Sequence, residues 1–258
     1  MRKLLMLSFT FLLSAAASAA EVTETIDRTF DVRPGASVAL TNVNGAISIA
    51  AWDQPRVRVV ATKRVDASSS DAKSLLAELR VEMQPRDGGL VVTTQYPRRG
   101  DGFFDWLFGN NVDAQVRYEL TVPRSMSLDV ENVNGAIHLA DVSGKHELAT
   151  TNGKIEVARC AGSVDASTTN GAITAELRSV NKGAPLRFST TNGRIDVTLP
   201  ATVAVDVDAG TTNGRISSDL PIATTSFGDN SLRGSINGGG APLRMRTTNG
   251  GIQIRASR

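Results

Sequence analysis

The tetrapeptide Asn-Gly-x-Ile occurs seven times in this chain of 258 residues. The copies begin at Asn44, Asn134, Asn152, Asn170, Asn192, Asn213 and Asn249, and their glycines are Gly45, Gly135, Gly153, Gly171, Gly193, Gly214 and Gly250. From Gly135 onward the glycines are spaced by 18, 18, 22, 21 and 36 residues. A unit of 18–22 residues is too short for two helices and their turns. It fits two or three short strands joined by tight turns, the coil of a β-solenoid. The last spacing is twice 18, and a degenerate copy, Gly234-Ser235-Ile236, falls inside it, which predicts one more coil there.

The apolar residues support this reading. The second and fourth positions after the motif glycine are Ile137/Leu139, Ile155/Val157, Ile195/Val197 and Ile252/Ile254. Such alternation places one face of a strand inside and the other outside. A second strand follows in the unit, as in Val164 with Ala166, Leu186 with Phe188, and Val203, Val205 and Val207. Asn and Gly both tolerate positive φ, which suits a sharp corner. Once per coil, the pair marks the same corner of successive coils, where asparagine amides can hydrogen-bond along the axis. Thr-Thr precedes five of the seven copies and adds a row of stackable hydroxyls. With a rise of about 4.8 Å per coil, six or seven coils from Asn134 onward would stand about 30 Å tall. The asparagines and glycines are therefore assigned a structural role at the corner.

The sequence divides into residues 1–20, 21–130 and 131–258. The first segment has Arg2 and Lys3, an apolar run over residues 4–13, and the small-residue stretch Ser14-Ala-Ala-Ala-Ser-Ala-Ala20. That is the pattern of a cleavable signal peptide, and the apolar run falls short of the ~20 residues that span a bilayer. No second run of spanning length follows, so the mature chain is expected to lack a transmembrane segment and to be periplasmic or extracellular. The third segment is the solenoid. In the second, Thr41-Asn-Val-Asn-Gly-Ala-Ile47 shares six of seven residues with Glu131-Asn-Val-Asn-Gly-Ala-Ile137. The first coil thus starts near Val38, and the chain leaves the stack and returns at Glu131. The excursion reads as an alternating strand over 56–64, a helix over 70–80 carrying Leu75, Leu76 and Leu79, a hairpin turning at Asp87-Gly88-Gly89, and a strand over 112–122. It is expected to cap the N-terminal end of the solenoid, whose strand edges otherwise lie open.

Composition narrows the function. The net charge is +2, with both signs mixed, which gives no footprint for nucleic acid. Cys160 is the only cysteine, so no internal disulfide is available, and it reads as a small buried apolar residue. The two histidines, His138 and His146, have no cysteine or third histidine beside them, and they read as surface residues. No metal and no cofactor is expected. The acids Glu156, Asp165, Glu176, Asp196, Asp206 and Asp208 are scattered over the coil rather than stacked in one catalytic register. Two features stand out. The residue after the motif glycine is Lys154, Arg194 and Arg215 in three coils, which predicts a basic stripe for an anionic polymer or glycan. The second is a loop containing Phe103, Phe104, Trp106, Leu107 and Phe108, read as a lid on the solenoid end or as a contact surface for a partner or membrane.

The order of these parts resembles a known family. Phe30-Asp-Val-Arg-Pro-Gly35, then Val43-Asn-Gly-Ala-Ile-Ser-Ile49 with Trp52-Asp53, then a helix, a hairpin and serial Thr-Thr-Asn-Gly-x-Ile coils, is similar to the bacterial adhesin family of DUF4097 type. That family is related to auto-transporter adhesin head domains with a Gly-Ile-Asn signature, which Gly234-Ser-Ile-Asn-Gly-Gly-Gly240 resembles. The resemblance implies a mainly β, solenoid-like envelope protein and brings no catalytic residues. The expected fold is a right-handed β-solenoid. The expected function is a non-catalytic binding or scaffold module whose partner is an envelope or host glycan, an anionic polymer or another envelope protein. The alternatives are a solenoid polysaccharide lyase or hydrolase, and an architectural or envelope-stress protein without a tight ligand.

Overall fold

A computed structural model of the chain describes residues 20–67, 72–96, 113–228 and 230–257. The proposed signal peptide, residue 20 apart, and the aromatic loop at Phe103–Phe108 lie outside them. The elements in chain order are β1 (Ala20–Asp31), β2 (Ser37–Thr41), β3 (Ile47–Trp52), β4 (Arg56–Ala67), α1 (Ala72–Glu78), β5 (Arg80–Arg86), β6 (Gly89–Gln95) and β7 (Asp113–Pro123). The repeats supply β8 (Ser127–Glu131), β9 (Ile137–Ala140), β10 (Ser143–Asn152), β11 (Ile155–Asn170), β12 (Ile173–Ser179), β13 (Leu186–Asn192) and β14 (Ile195–Leu199). They continue as β15 (Val205–Asn213), β16 (Ile216–Ser218), β17 (Ala223–Gly228), β18 (Ser231–Ile236), β19 (Ala241–Asn249) and β20 (Ile252–Ala256).

Each Asn-Gly coil gives one strand to each of two facing walls. The first wall holds the strands that run into the corner, in the order β6, β2, β8, β10, the second half of β11, β13, β19 and β15, all parallel. The second wall holds the strands that leave it: β7, β3, β9, the first half of β11, β12, β14, β20 and β16, also parallel. The motif isoleucines Ile47, Ile137, Ile155, Ile173, Ile195 and Ile252 close the space between the walls and are buried. Leu148, Ala166, Phe188, Met245 and Ala209 meet them from the first wall. Truncating one of these isoleucines to alanine costs roughly 2–5 kcal/mol in a core of this kind.

The coils do not stack in sequence order. The corner asparagines follow one another as Asn44, Asn134, Asn152, Asn170, Asn192, Asn249 and Asn213. β19 pairs with β13 on one side and β15 on the other, so the last coil of the sequence lies between the two that precede it. The segment around Gly234-Ser235-Ile236 is not the further coil that its spacing predicts. β17 and β18 form an antiparallel hairpin, and β18 runs antiparallel to β15 with Ile236 opposite Val205. The reason is the turn that follows. Asn237 takes a φ of 50°, and its amide donates to the carbonyls of Ala201 (3.0 Å) and Val203 (2.8 Å). Asp206 accepts from the Gly240 amide, and the chain is led back into the gap beside β13.

The N-terminal excursion also joins the stack. β1, β4 and β7 form an antiparallel layer. α1 packs on β4 and β1, with Leu75, Leu76 and Leu79 buried. β5 and β6 make the hairpin. β6 and β7 then lie parallel on β2 and β3, so together they occupy the place of a coil next to Asn44. Thr93 sits opposite Thr41, and Thr94 therefore aligns with Asn42 in the row that threonines fill elsewhere.

Candidate functional site

The Asn-Gly edge is a continuous hydrogen-bonded seam. Each corner amide donates to the side-chain oxygen of the neighbouring asparagine, at 2.7 Å from Asn134 to Asn44 and 2.8 Å in the next five steps. Behind it runs a buried row. The hydroxyls of Thr168, Thr190 and Thr247 donate to the carbonyls of Gly153, Gly171 and Gly193 at 2.9 Å. In the first two coils Asn42 and Asn132 take the threonine's place, Asn132 donating to Gly45 O at 2.9 Å. The Tyr96 hydroxyl closes the row, accepting from Asn44 N at 3.0 Å and donating to Asn44 O at 2.9 Å.

Turn geometry alone does not explain the glycines. None of the seven asparagines has a positive φ, and Gly171 lies outside the left-handed region. A methyl at Gly171 would instead strike the backbone carbonyl of Gly153 in the next coil. Close coil-to-coil approach is what excludes every other residue.

Lys154, Arg194 and Arg215 all lie exposed in the row beside this seam. They are not contiguous. Ala172 stands between Lys154 and Arg194, and the out-of-order coil puts Gly251 between Arg194 and Arg215. Lys154 is paired with Glu156 at 2.8 Å and Arg194 with Asp196 at 2.9 Å. The row is thus a set of spaced, partly neutralised cations. Sequence spacing could not show this, because it supposes that consecutive repeats are neighbours.

The two histidines differ. His138 is half-exposed and stands 3.6 Å from the Glu156 carboxylate. His146 is a correction to the surface reading: its side chain is fully buried in the first wall, between Leu128 and Val164 of the adjoining coils. Neither ring nitrogen has a hydrogen-bond partner. Burial pushes its pKa down to about 4. Cys160 is also fully buried, and its thiol is pushed up by desolvation. Asp196, one of the scattered acids, is nearly buried between Arg194 and Arg255. Among the described residues no group of three or more His, Cys, Asp or Glu side chains is placed to hold a metal ion.

The edge opposite the seam carries the paired charges. Arg124 binds Asp53 through both its Nε and Nη2, the latter at 3.1 Å. Asp141 receives Arg159 Nε at 3.0 Å and Arg178 Nη2 at 2.9 Å. These guanidinium hydrogen bonds hold both carboxyls below the usual range. Beside Arg124, three turns bring Val32, Pro34, Trp52, Pro55 and Pro123 around an open cleft of about 390 Å³. At its rim Trp52 Nε1 donates to Arg56 O at 2.7 Å, and the Gln54 amide oxygen accepts from Arg56. The Trp52-Asp53 pair was visible in the sequence, but Arg124 lies 71 residues away and no local signal connects them.

Two parallel walls, one invariant corner and a polar exterior define a β-solenoid-like repeat protein. The chain belongs to the Toastrack DUF4097 family, whose model matches residues 25–255. No curated protein matches the sequence. Among solved structures, it is similar to a putative cell adhesion protein from Clostridium sporogenes, with 11% identity, a TM-score of 0.46, and coverage of 91% of this chain and 100% of that one. A putative adhesin from Bacteroides fragilis shares 9% identity at a TM-score of 0.30, over 90% of this chain and 97% of that one. A putative lipid binding protein from Parabacteroides distasonis shares 10% identity at a TM-score of 0.25, over 92% and 97% respectively.

Proposed function

We propose that the protein is a non-catalytic binding or scaffold module of the bacterial envelope, exported by residues 1–20 and working in the periplasm or outside the cell. The observation that carries this reading is the exterior. The two walls present broad, flat rows of side chains in register from coil to coil. The groups with intrinsic reactivity point elsewhere: His146 and Cys160 are sealed in the core, and Asp53, Asp141 and Asp208 are held by arginines. A rigid surface of this kind is suited to an extended partner such as an envelope or host glycan, an anionic polymer or another envelope protein. No helix among the described residues is long and apolar enough to cross a membrane. In this reading the coil winds right-handedly, residues 21–130 serve as an N-terminal cap on the repeats of 131–258, and the loop at Phe103–Phe108 acts as a lid or contact element.

The test is a binding screen of the mature protein against envelope polymers and host glycans, run beside a turnover assay on the same panel. Saturable binding without product formation is expected. Release of sugar fragments or unsaturated products would overturn the reading in favour of a solenoid enzyme.

A further inference from the structure

The outer face of the first wall is divided by charge in a way that only the folded order reveals. One row crosses it as Asp129, Glu147, Asp165, Arg187, Arg244 and Asp208, each directly opposite the next on adjacent parallel strands. Glu131 extends the acidic side on β8, and Arg246 extends the basic side on β19. The row's side chains are exposed or half-exposed. Like charges directly opposite each other destabilise a sheet, yet three acids stand together and are followed by two arginines.

Internal pairing only partly relieves this. Lys145 binds Glu147, and Arg187 reaches Asp165 across the boundary at 3.6 Å. Arg246 is shared with Asp208 of β15, which also takes Arg233. Arg244 has no ionic partner among the described residues. The other wall shows no such division. Its equivalent row reads Ser48, His138, Glu156, Thr174, Asp196, Gln253 and Ser217, with neutral residues separating the acids.

We propose that this face docks a second copy of the same chain, in antiparallel orientation, about a two-fold axis that passes between β11 and β13. Four acids and one lysine lie on one side of that axis; four arginines with Asp206 and Asp208 lie on the other, so the two sides keep opposite net charge. A two-fold rotation lays each half on its opposite, the self-complementary arrangement of an isologous dimer. The rows repeat at about 4.8 Å, so the charges meet over roughly 20 Å. A linear polyanion gains from the arginines but must then run onto the acidic strands, and a neutral ligand gains nothing from the division. The inference rests on the wall's charge pattern and not on the binding-module reading, which can fail independently.

The test uses the full mature chain in sedimentation equilibrium at low and high salt. We expect a monomer–dimer equilibrium that weakens by about tenfold or more as salt screens the face. The R187E/R244E variant makes the face predominantly acidic, and D129K/E147K makes it predominantly basic. Each alone is expected to stay monomeric, and an equimolar mixture to form a one-to-one heterodimer, which also shows that both variants fold. Three results would overturn the proposal. The first is a wild-type chain that remains monomeric at low salt. The second is a dimer that both variants preserve, which would put the interface elsewhere. The third is a monomer that binds heparin through Arg187 and Arg244, which would make the arginines a polyanion site instead.

Discussion

Along the Asn-Gly edge, neighbouring coils are joined by uncharged hydrogen bonds that repeat with little variation: amide to amide, threonine hydroxyl to glycine carbonyl, backbone to backbone. Along the opposite edge they are joined by guanidinium–carboxylate pairs that occur only at some coils, Asp53 with Arg124 and Asp141 with Arg159 and Arg178. The variation in repeat length collects on that second edge. The longer turn of residues 180–185 and the whole β17–β18 hairpin leave and return there. One edge fixes register, and the other absorbs insertions. A register-setting edge needs contacts too short to vary, whereas an insertion-bearing edge can use long charged side chains that reach across irregular turns.

This contrast can be broken most sharply at glycine. Gly171→Ala drives a methyl into the Gly153 carbonyl and should cost on the order of 3 kcal/mol or more, seen as a large fall in Tm. Gly183→Ala, in the open turn of the other edge, meets nothing within 4 Å and should cost only the roughly 1–2 kcal/mol of a left-handed alanine, its φ being 79°. Equal losses at the two positions would show that coil contact is not what demands glycine.

Acid sharpens the comparison from inside. His146 folds neutral, with a pKa of about 4 against an ordinary 6.5. The unfolded chain therefore takes up the proton first as pH falls, and stability drops from pH 6.5 toward 4 by up to about 3 kcal/mol. His146→Leu should remove most of that slope, which urea melts at pH 7 and pH 4.5 would reveal. An unchanged slope would place the acid sensitivity in the carboxylates. Next in size, Asn152→Ala removes two rungs of the amide seam in the middle of the stack and should cost about 1 kcal/mol, nearly independent of salt. The smallest effect is expected from Asp141→Asn, which loosens Arg159 and Arg178 on the solvent-exposed edge. Its cost should fall below that of Asn152→Ala and vanish in high salt.

The parts of this fold that follow from local periodicity could be read directly. The alternation at Ile155/Val157 and at Val164 with Ala166 gave both walls, and the likeness of Asn44 to Asn134 marked two coils that lie side by side although 90 residues apart. What escaped depends on contacts between distant residues. Thr93-Thr94 carries no Asn-Gly, so its place beside Asn42 was hidden although Thr94 bonds to that asparagine at 2.9 Å. His146 occupies an inward position of the alternation, at the place of Val164 in the next coil, and that pattern was the available signal for its burial. The cationic residues after the glycines were identified, but their neighbours were not, because Asn249 is bonded to Asn192 rather than only to Asn213.

That exchange of the final two coils has a consequence for how the molecule comes together. A simple solenoid can grow one coil at a time from a finished end, each new turn finding its template already in place. Here the turn at Asn213 finds no template when it is made, since its neighbour on the growing side is β19, which follows it by some thirty residues. Until 241–256 arrive, residues 205–218 can only wait beside their own hairpin. Completion then resembles the closing of a clasp rather than the winding of a spool, and it ties the two most C-terminal coils into one cooperative step with a long loop to close. A chain cut within residues 241–256 would lose a middle slab of the stack and leave the part beyond it without support.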